Sequence, residues 1–202
     1  MHKEITARII VRDEEGRFLL VHEMEEGGVG RPAGWNQPGG RIEAEESKEK
    51  MRKEIARFPH RDALYEHLDR TIQDGLDRCF MGATREVLEE TGYLVRINRE
   101  LCPLREEYAE HEVRVYDGEV VVGELVKRSP ETNNAGWFLP SEMPFPDEDA
   151  NFLEGLYPSA RVRFTRACKF FAAEEQEREA WCRDYAAWAE RVSDEHEMAQ
   201  LH

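Results

Sequence analysis

Three glutamates stand at helical spacing in the segment "GATREVLEETGYLV". On a helix, residues three and four apart lie on one face with Cβ atoms about 5–6 Å apart, so Glu86, Glu89 and Glu90 converge. Two unit charges about 4 Å apart repel by about 4 kcal/mol at an effective dielectric of about 20, which makes such crowding costly. A divalent cation removes this repulsion, and carboxylate oxygens suit Mg²⁺ or Mn²⁺. The spacing indicates a metal-binding helix face, and a solvated acidic surface is the alternative.

A second segment, "WNQPGGRIEAEES", carries the loop that such a site requires. A tight turn at Gly39 and Gly40 is followed by acids and then by Ser47, a residue type that often begins a helix. The next segment, "KEKMRKEIARFP", has lysines and arginines where the acids are needed. The helix that completes the loop is therefore expected further along the chain.

Taken in order, the two segments resemble the Nudix box, G-x5-E-x7-R-E-U-x-E-E-x-G-U, where U is an apolar residue. The first part of the box matches Gly40 to Glu46, and the second part matches Arg85 to Tyr93, with tyrosine a loose fit to the final apolar position. Glu46 and Arg85 are separated by 38 residues where the family has 7, so 31 residues are extra. The resemblance implies a Nudix box that is divided by an inserted helical segment.

The resemblance implies a role for each matching residue. The expected metal ligands are the side chains of Glu86 and Glu90, the backbone carbonyl of Gly39, and Glu89 as a further ligand or as the binder of metal-held water. Arg85 is expected to pair with Glu46 and so to hold the loop against the helix.

The implied activity is Mg²⁺-dependent hydrolysis, with Mn²⁺ as a substitute, of the pyrophosphate bond in a nucleoside di- or triphosphate or another organic diphosphate. The partner is then a small phosphorylated molecule that is attacked by metal-activated water. Glu131, six residues before Trp137 in "PETNNAGWF", is the candidate general base, with a solvated loop glutamate as the alternative. Arg41 is the candidate for binding a substrate phosphate, with an exposed loop arginine as the alternative.

Two other functions fit the same resemblance. One is a catalytically inactive Nudix domain that binds a nucleotide or a protein, and the presence of every acid of the box argues against it. The other is an isomerase of an allylic diphosphate, whose chemistry needs a cysteine opposite a glutamate, and no cysteine lies beside the box.

The hydrophobic pattern predicts strands, helices, strands and helices in that order. The runs "ITARIIVRD" and "FLLVHE" flank a glycine-containing turn and indicate a β-hairpin. Residues 47 to about 91 are expected to be helical, with Pro59 ending a first helix and leucines at helical spacing marking a second. Strands are expected again in "HEVRVYDGEVVVGELVKR" and "GWFLP". The order favours an α+β fold, and the resemblance implies a Nudix-type α/β/α sandwich with a mixed sheet.

Three regions are expected along the chain. Residues 1–173 form the Nudix domain, residues 47–81 form the helical insertion within it, and residues 174–202 form a C-terminal helical extension. The extension carries an apolar stripe that we expect to pack on the inserted helices or on the partner in a homodimer, namely Trp181, Tyr185, Trp188 and Val192.

Composition limits the partners. The formal net charge of −15 argues against non-specific nucleic-acid binding. No apolar run approaches the ~20 residues of a membrane span, and charges occupy the place where a signal peptide would be apolar, so a cytoplasmic protein is expected. The cysteines are far apart and lack metal-ligand spacing, which favours reduced thiols.

Overall fold

The structure is a computed structural model. It describes residues 3–23, 34–72, 77–108, 110–126, 132–139, 142, 160, 162–164 and 166–176. The chain divides into two compact units, Met1–Arg161 and Val162–His202. The elements of the first unit are β1 (Glu4–Val11), β2 (Phe18–Glu23), β3 (Gly34–Asn36), α1 (Lys48–Ile55), α2 (Arg61–Thr71), α3 (Arg78–Thr91), β4 (Tyr93–Glu100), a 3-10 turn (Cys102–Leu104), β5 (Glu106–Glu107), β6 (His111–Gly123) and β7 (Thr132–Phe138).

The strands form two sheets. In the first sheet β6 lies between β1 and β4 and also pairs with the short β5. Its β1–β6 pairing is parallel and its other pairings are antiparallel, so the sheet is mixed. In the second sheet β2 lies between β3 and β7, and both pairings are antiparallel. The predicted α+β class with a mixed sheet is confirmed.

The predicted hairpin of β1 and β2 is wrong. A turn at residues 13–17, with Gly16 at φ 76°, does reverse the chain, but it supports only an isolated bridge between Arg12 and Phe18. The two strands then separate into different sheets. Ala7 to Val11 are all buried, which is the pattern of a strand covered on both faces, and the regular backbone pairing of β1 is with β6.

The first apolar cluster lies between α3 and the mixed sheet. Ala83 and Val87 of α3 pack with Ile9 of β1 and Tyr116 of β6, and all four are fully buried. This packing fixes which side of α3 faces the sheet. The glutamates of α3 lie outside this apolar cluster.

The insertion builds a second apolar cluster. Its buried members come from α1 and α2 and from the helix and strand that follow the insertion, namely Met51, Ile55, Phe58, Leu64, Leu68, Ile72, Leu88 and Leu94. Ser47 caps α1 by accepting a hydrogen bond from the Lys50 N–H at 3.2 Å, and α1 ends before Pro59, as expected. The insertion is therefore an integral layer of the domain, packed on Leu88 of α3 and Leu94 of β4.

In the second unit, residues 166–176 are helical. The apolar stripe predicted for the C-terminal extension, from Trp181 to Val192, lies outside the described residues, so its packing stays a prediction. Among the helices that the structure describes, none is both long and apolar enough to cross a membrane.

Candidate active site

Helix α3 presents the acidic face. Asp77 caps its N-terminus by accepting a hydrogen bond from the Cys79 N–H at 2.7 Å. Gly92 ends it in the left-handed conformation, with φ 78°, and donates to the Leu88 carbonyl. Because apolar residues of α3 are buried on the other sides, Glu86, Glu89 and Glu90 face the loop at residues 34–46.

Arg85 joins the two halves of the divided box. Its Nε and Nη2 donate to the two carboxylate oxygens of Glu46 at 3.0 Å each, which is the ion pair expected from the sequence. It also donates to Glu89 at 2.8 Å and to Glu86 at 2.5 Å. Burial alone would lower the pKa of this guanidinium, but the surrounding carboxylates raise the pKa above its ordinary value. Arg85 stays positively charged and joins the loop at Glu46 to the acids of α3, although the insertion separates the two segments in the chain.

The double-glycine turn is fixed by β1. The Ala7 N–H donates to the Gly40 carbonyl at 2.8 Å and the Ile9 N–H donates to the Pro38 carbonyl at 2.9 Å. Gly39 has φ 136°, and a Cβ there would lie 2.2 Å from the Ala7 carbonyl oxygen. Only glycine fits this backbone position.

Two carboxylates lie directly against this turn. A Cβ on Gly40 would lie 2.1 Å from Oε2 of Glu86, so the carboxylate occupies the space that a side chain would fill. Oε2 of Glu90 accepts a hydrogen bond from the Gly39 N–H at 2.7 Å. Burial raises the pKa of Glu90 well above its ordinary value, and the nearby charge of Arg8 opposes this rise.

Sequence reasoning missed a buried ion pair beneath the turn. Nη1 of Arg8 donates to Glu23 at 2.7 Å, to the Gln37 carbonyl at 3.0 Å and to the Gly39 carbonyl at 2.8 Å. Asn36 donates to the same oxygen of Glu23 at 2.9 Å. The available signal was an arginine in the middle of an apolar strand, since a buried charge requires a partner.

The donor atoms of the site suit a hard divalent cation. The Gly39 carbonyl and the carboxylates of Glu86 and Glu90 are all oxygen donors beside one turn. Within the described ranges, no three His, Cys, Asp or Glu side chains already stand together as a metal site. The hydrogen bonds explain this, because Arg85 holds Glu86 and Glu89 while the Gly39 N–H holds Glu90. The donor types and their position fit the cation, and internal hydrogen bonds hold the three carboxylates in this structure.

Two further sequence candidates lie apart from this cluster. The side chain of Arg41 is 71% exposed and pairs with Glu4 at 3.1 Å, so it is not among the residues that the turn and α3 bring together. Its role in phosphate binding stays a prediction. Glu131 lies outside the described residues, and its role as general base also stays a prediction.

The fold has relatives among solved structures, whereas no family model and no curated protein matches the sequence. An ADP-ribose pyrophosphatase from Streptococcus suis has 16% identity and a TM-score of 0.51, over 85% of this chain and 92% of that chain. A Nudix hydrolase from Nitrosomonas europaea has 14% identity and a TM-score of 0.50, over 82% of this chain and 70% of that chain. At such identities the similarity speaks to architecture. The protein has the Nudix fold. Its double-glycine turn lies against Glu86 and Glu90 of α3, and Glu46 pairs with Arg85, although the inserted segment separates the two in the chain.

Proposed function

We propose that the protein is a Mg²⁺-dependent hydrolase, with Mn²⁺ as a substitute, that cleaves the pyrophosphate bond of a nucleoside di- or triphosphate or another organic diphosphate. The observation that carries this proposal is the contact of Glu86 and Glu90 with the double-glycine turn, despite the 38 residues between Glu46 and Arg85. Acids that served only as a solvated surface would not be buried, whereas Glu86 is 6% and Glu90 is 4% exposed.

The chain's own groups divide the work. The bound cation would neutralise phosphate oxygens and lower the pKa of the attacking water. Glu86, Glu90 and the Gly39 carbonyl would hold that cation, with Glu89 as a further ligand. Arg85 acts through Glu46, Glu86 and Glu89 and is a positioning residue.

The net reaction adds water across the P–O–P link. The oxygen of water bonds to one phosphorus, and the bridging oxygen leaves with the other phosphate. A carboxylate accepts the proton that water loses, which is the role proposed for Glu131. Without such a base the proton would pass to bulk water, and turnover would be slower by about 10²–10⁴-fold.

The competing function is a binding domain without turnover. Its support is the engagement of Glu86 and Glu89 by Arg85, which withdraws two acids from an open metal site. The two functions differ in a measurable way. An enzyme converts its substrate in proportion to enzyme concentration, whereas a binding domain only retains the nucleotide.

The test is a phosphate- and product-release assay with Mg²⁺ or Mn²⁺ over nucleoside di- and triphosphates, ADP-ribose and thiamine pyrophosphate. ADP-ribose is included because a structurally similar protein is an ADP-ribose pyrophosphatase. Turnover of at least one substrate is expected. Glu90→Gln should lower kcat by about a thousandfold with an unchanged fold, since it removes a charged ligand.

Glu45→Gln is the matched control, because Glu45 is exposed in the same loop and the substitution removes the same charge. It should retain wild-type turnover. Full activity of Glu90→Gln would contradict the ligand assignment. Retention of nucleotide with no product across the panel would favour the binding domain.

A further inference from the structure

Arg8 places a buried positive charge beside the double-glycine turn of the site. It lies in the middle of β1, and its side chain is only 7% exposed. Nη1 lies 2.8 Å from the Gly39 carbonyl oxygen, the backbone ligand proposed above. A positive charge is thus fixed next to an oxygen that a divalent cation would use.

Arg8 is one of several groups that hold the loop. Backbone hydrogen bonds from Ala7 to Gly40 and from Ile9 to Pro38 hold the turn on either side of Gly39. The Gly39 N–H is held separately by Glu90. The guanidinium therefore adds a positive charge, and two hydrogen bonds to loop carbonyls, to a turn that is also held by other contacts.

That charge has a partly buried acid to balance. Arg8 lies 2.7 Å from Glu23, whose side chain is 15% exposed. Buried carboxylates without a cation are costly, and a guanidinium offsets that cost when no metal is bound. A divalent cation at the same oxygens would meet repulsion from the same guanidinium.

We propose that Arg8 is a resident counter-charge for the metal-free site, and that it sets the affinity of the site for a divalent cation by repelling it. This proposal rests on the proposed function, because it takes Gly39 and Glu90 as ligands. Glu23 is the counter-ion that limits the repulsion. Removing the charge of Arg8 should then raise the affinity for the metal, and removing the charge of Glu23 should lower it.

The experiment measures binding of Mn²⁺ alone to the full chain, by the electron paramagnetic resonance signal of free Mn²⁺. Arg8→Gln should bind Mn²⁺ about tenfold more tightly than the wild type, because the nearby positive charge is gone. Glu23→Gln should bind it about tenfold more weakly, because Arg8 loses its counter-ion. A pair that served only to hold the fold would weaken binding in both variants.

Two further variants control for charge and folding. Arg12→Gln removes the same charge from an exposed residue just after β1 and should leave the Mn²⁺ affinity unchanged. Arg8→Lys keeps the charge and should bind Mn²⁺ as the wild type does. In EDTA, Arg8→Gln should melt at a lower temperature than the wild type, and Mn²⁺ should raise its Tm more than it raises the wild-type Tm.

The outcomes separate this proposal from the proposed function. Wild-type binding with equal or weaker binding by Arg8→Gln would overturn the role of Arg8 and leave the metal site intact. An unstable Arg8→Gln that Mn²⁺ does not rescue would overturn it as well. No Mn²⁺ binding by the wild-type chain would overturn both the role of Arg8 and the metal site.

Discussion

At the scale of single residues, the site depends on one guanidinium that satisfies three carboxylates. Arg85 is 3% exposed, and its planar group contacts both oxygens of Glu46 at once. Lysine offers a point charge on a flexible stem and cannot reproduce this two-point contact. The loop that carries Gly39 is therefore fixed to α3 by geometry as much as by charge.

Arg85→Lys should lower turnover by about 10–100-fold, because the acids lose the partner that orients them. Glu46→Gln should produce a loss of similar size. The double variant should lose little more than Arg85→Lys alone, since both substitutions remove the same contact between Arg85 and Glu46. Steady-state kinetics of the three variants provides the measurement, and losses that multiply would show that the two residues act independently.

The residues of the motif could be predicted from the sequence, and the buried pair of Arg8 and Glu23 could not. The pairing of Glu46 with Arg85 is what the resemblance to a divided Nudix box implies, and the resemblance could be seen because each half of the box is a short local segment. Arg8 and Glu23 meet through strand placement in two different sheets. Their pairing is a long-range consequence of topology, and no local spacing encodes it.

At the scale of elements, the insertion is built into the hydrophobic interior. Leu68 of α2 is 1% exposed and belongs to the apolar cluster of Leu88 and Leu94. An insertion that merely looped out would keep its apolar residues to itself. The layer formed by α1 and α2 therefore stabilises the helix that carries the acids.

Leu68→Ala should lower the free energy of unfolding by about 2–5 kcal/mol, because it leaves a cavity in a shared cluster. Glu66→Ala is the control, since Glu66 is exposed on the same helix, and it should change that free energy by less than about 0.5 kcal/mol. Urea unfolding monitored by circular dichroism gives both values. Equal small effects would show that α2 adds nothing to the stability of the domain.

A buried glutamate on β6 makes the stability depend on pH. Glu112 is 5% exposed, and it pairs with Arg105 at 2.7 Å and with Arg114. Burial tends to raise the pKa of Glu112, but hydrogen bonds from these two arginines lower the pKa below its ordinary value. A lowered folded-state pKa stabilises the protein above the unfolded-state value, and this contribution is lost as pH falls through the folded-state value.

Glu112→Gln should therefore be less stable than the wild type at pH 7, and the difference should shrink as the pH falls through the lowered folded-state pKa of Glu112, below which the wild-type carboxylate is protonated in both states. Glu119→Gln is the control, because the Glu119 side chain on the same strand is 44% exposed. Unfolding free energies at several pH values test this. A difference that did not shrink at any acidic pH at which the protein stays folded would exclude ionisation of Glu112 as its source.

Strand pairing was the weakest part of the sequence prediction. Two apolar runs around a Gly16 turn favour a hairpin, yet β1 pairs with β6, about a hundred residues later in the chain. The consecutive apolar residues Ile9, Ile10 and Val11 were a sign against such a hairpin, since a strand with one wet face would alternate apolar and polar residues. Helices were easier to predict because their contacts repeat every three or four residues.

At the scale of the whole molecule, the protein and its proposed substrates both carry net negative charge. Its formal net charge is −15, and nucleoside di- and triphosphates are also anionic. Like charges slow the encounter of enzyme and substrate, and salt screens them, with a Debye length of about 8 Å at 0.15 M. The cation proposed for the site would offset this repulsion locally.

With metal held at saturation, kcat/KM should rise by about twofold to fivefold when the NaCl concentration is raised from about 0.02 M to about 0.2 M. The rise should be in kcat/KM, with little change in kcat, because screening acts on the encounter. Stopped-flow or steady-state rates at low substrate concentration measure this change in kcat/KM. A steep fall instead would show that basic residues around the site attract the substrate.

Helix α3 is shared by both apolar clusters, with Ala83 and Val87 in one and Leu88 in the other. Opening either cluster would strip one side of the same helix, so partial unfolding of the insertion alone is disfavoured. The backbone amides in the middle of α3 should accordingly exchange with deuterium as slowly as the most protected amides of the molecule. The acids proposed as metal ligands and the inserted helices then belong to one cooperative unit, so that unfolding of one entails unfolding of the other.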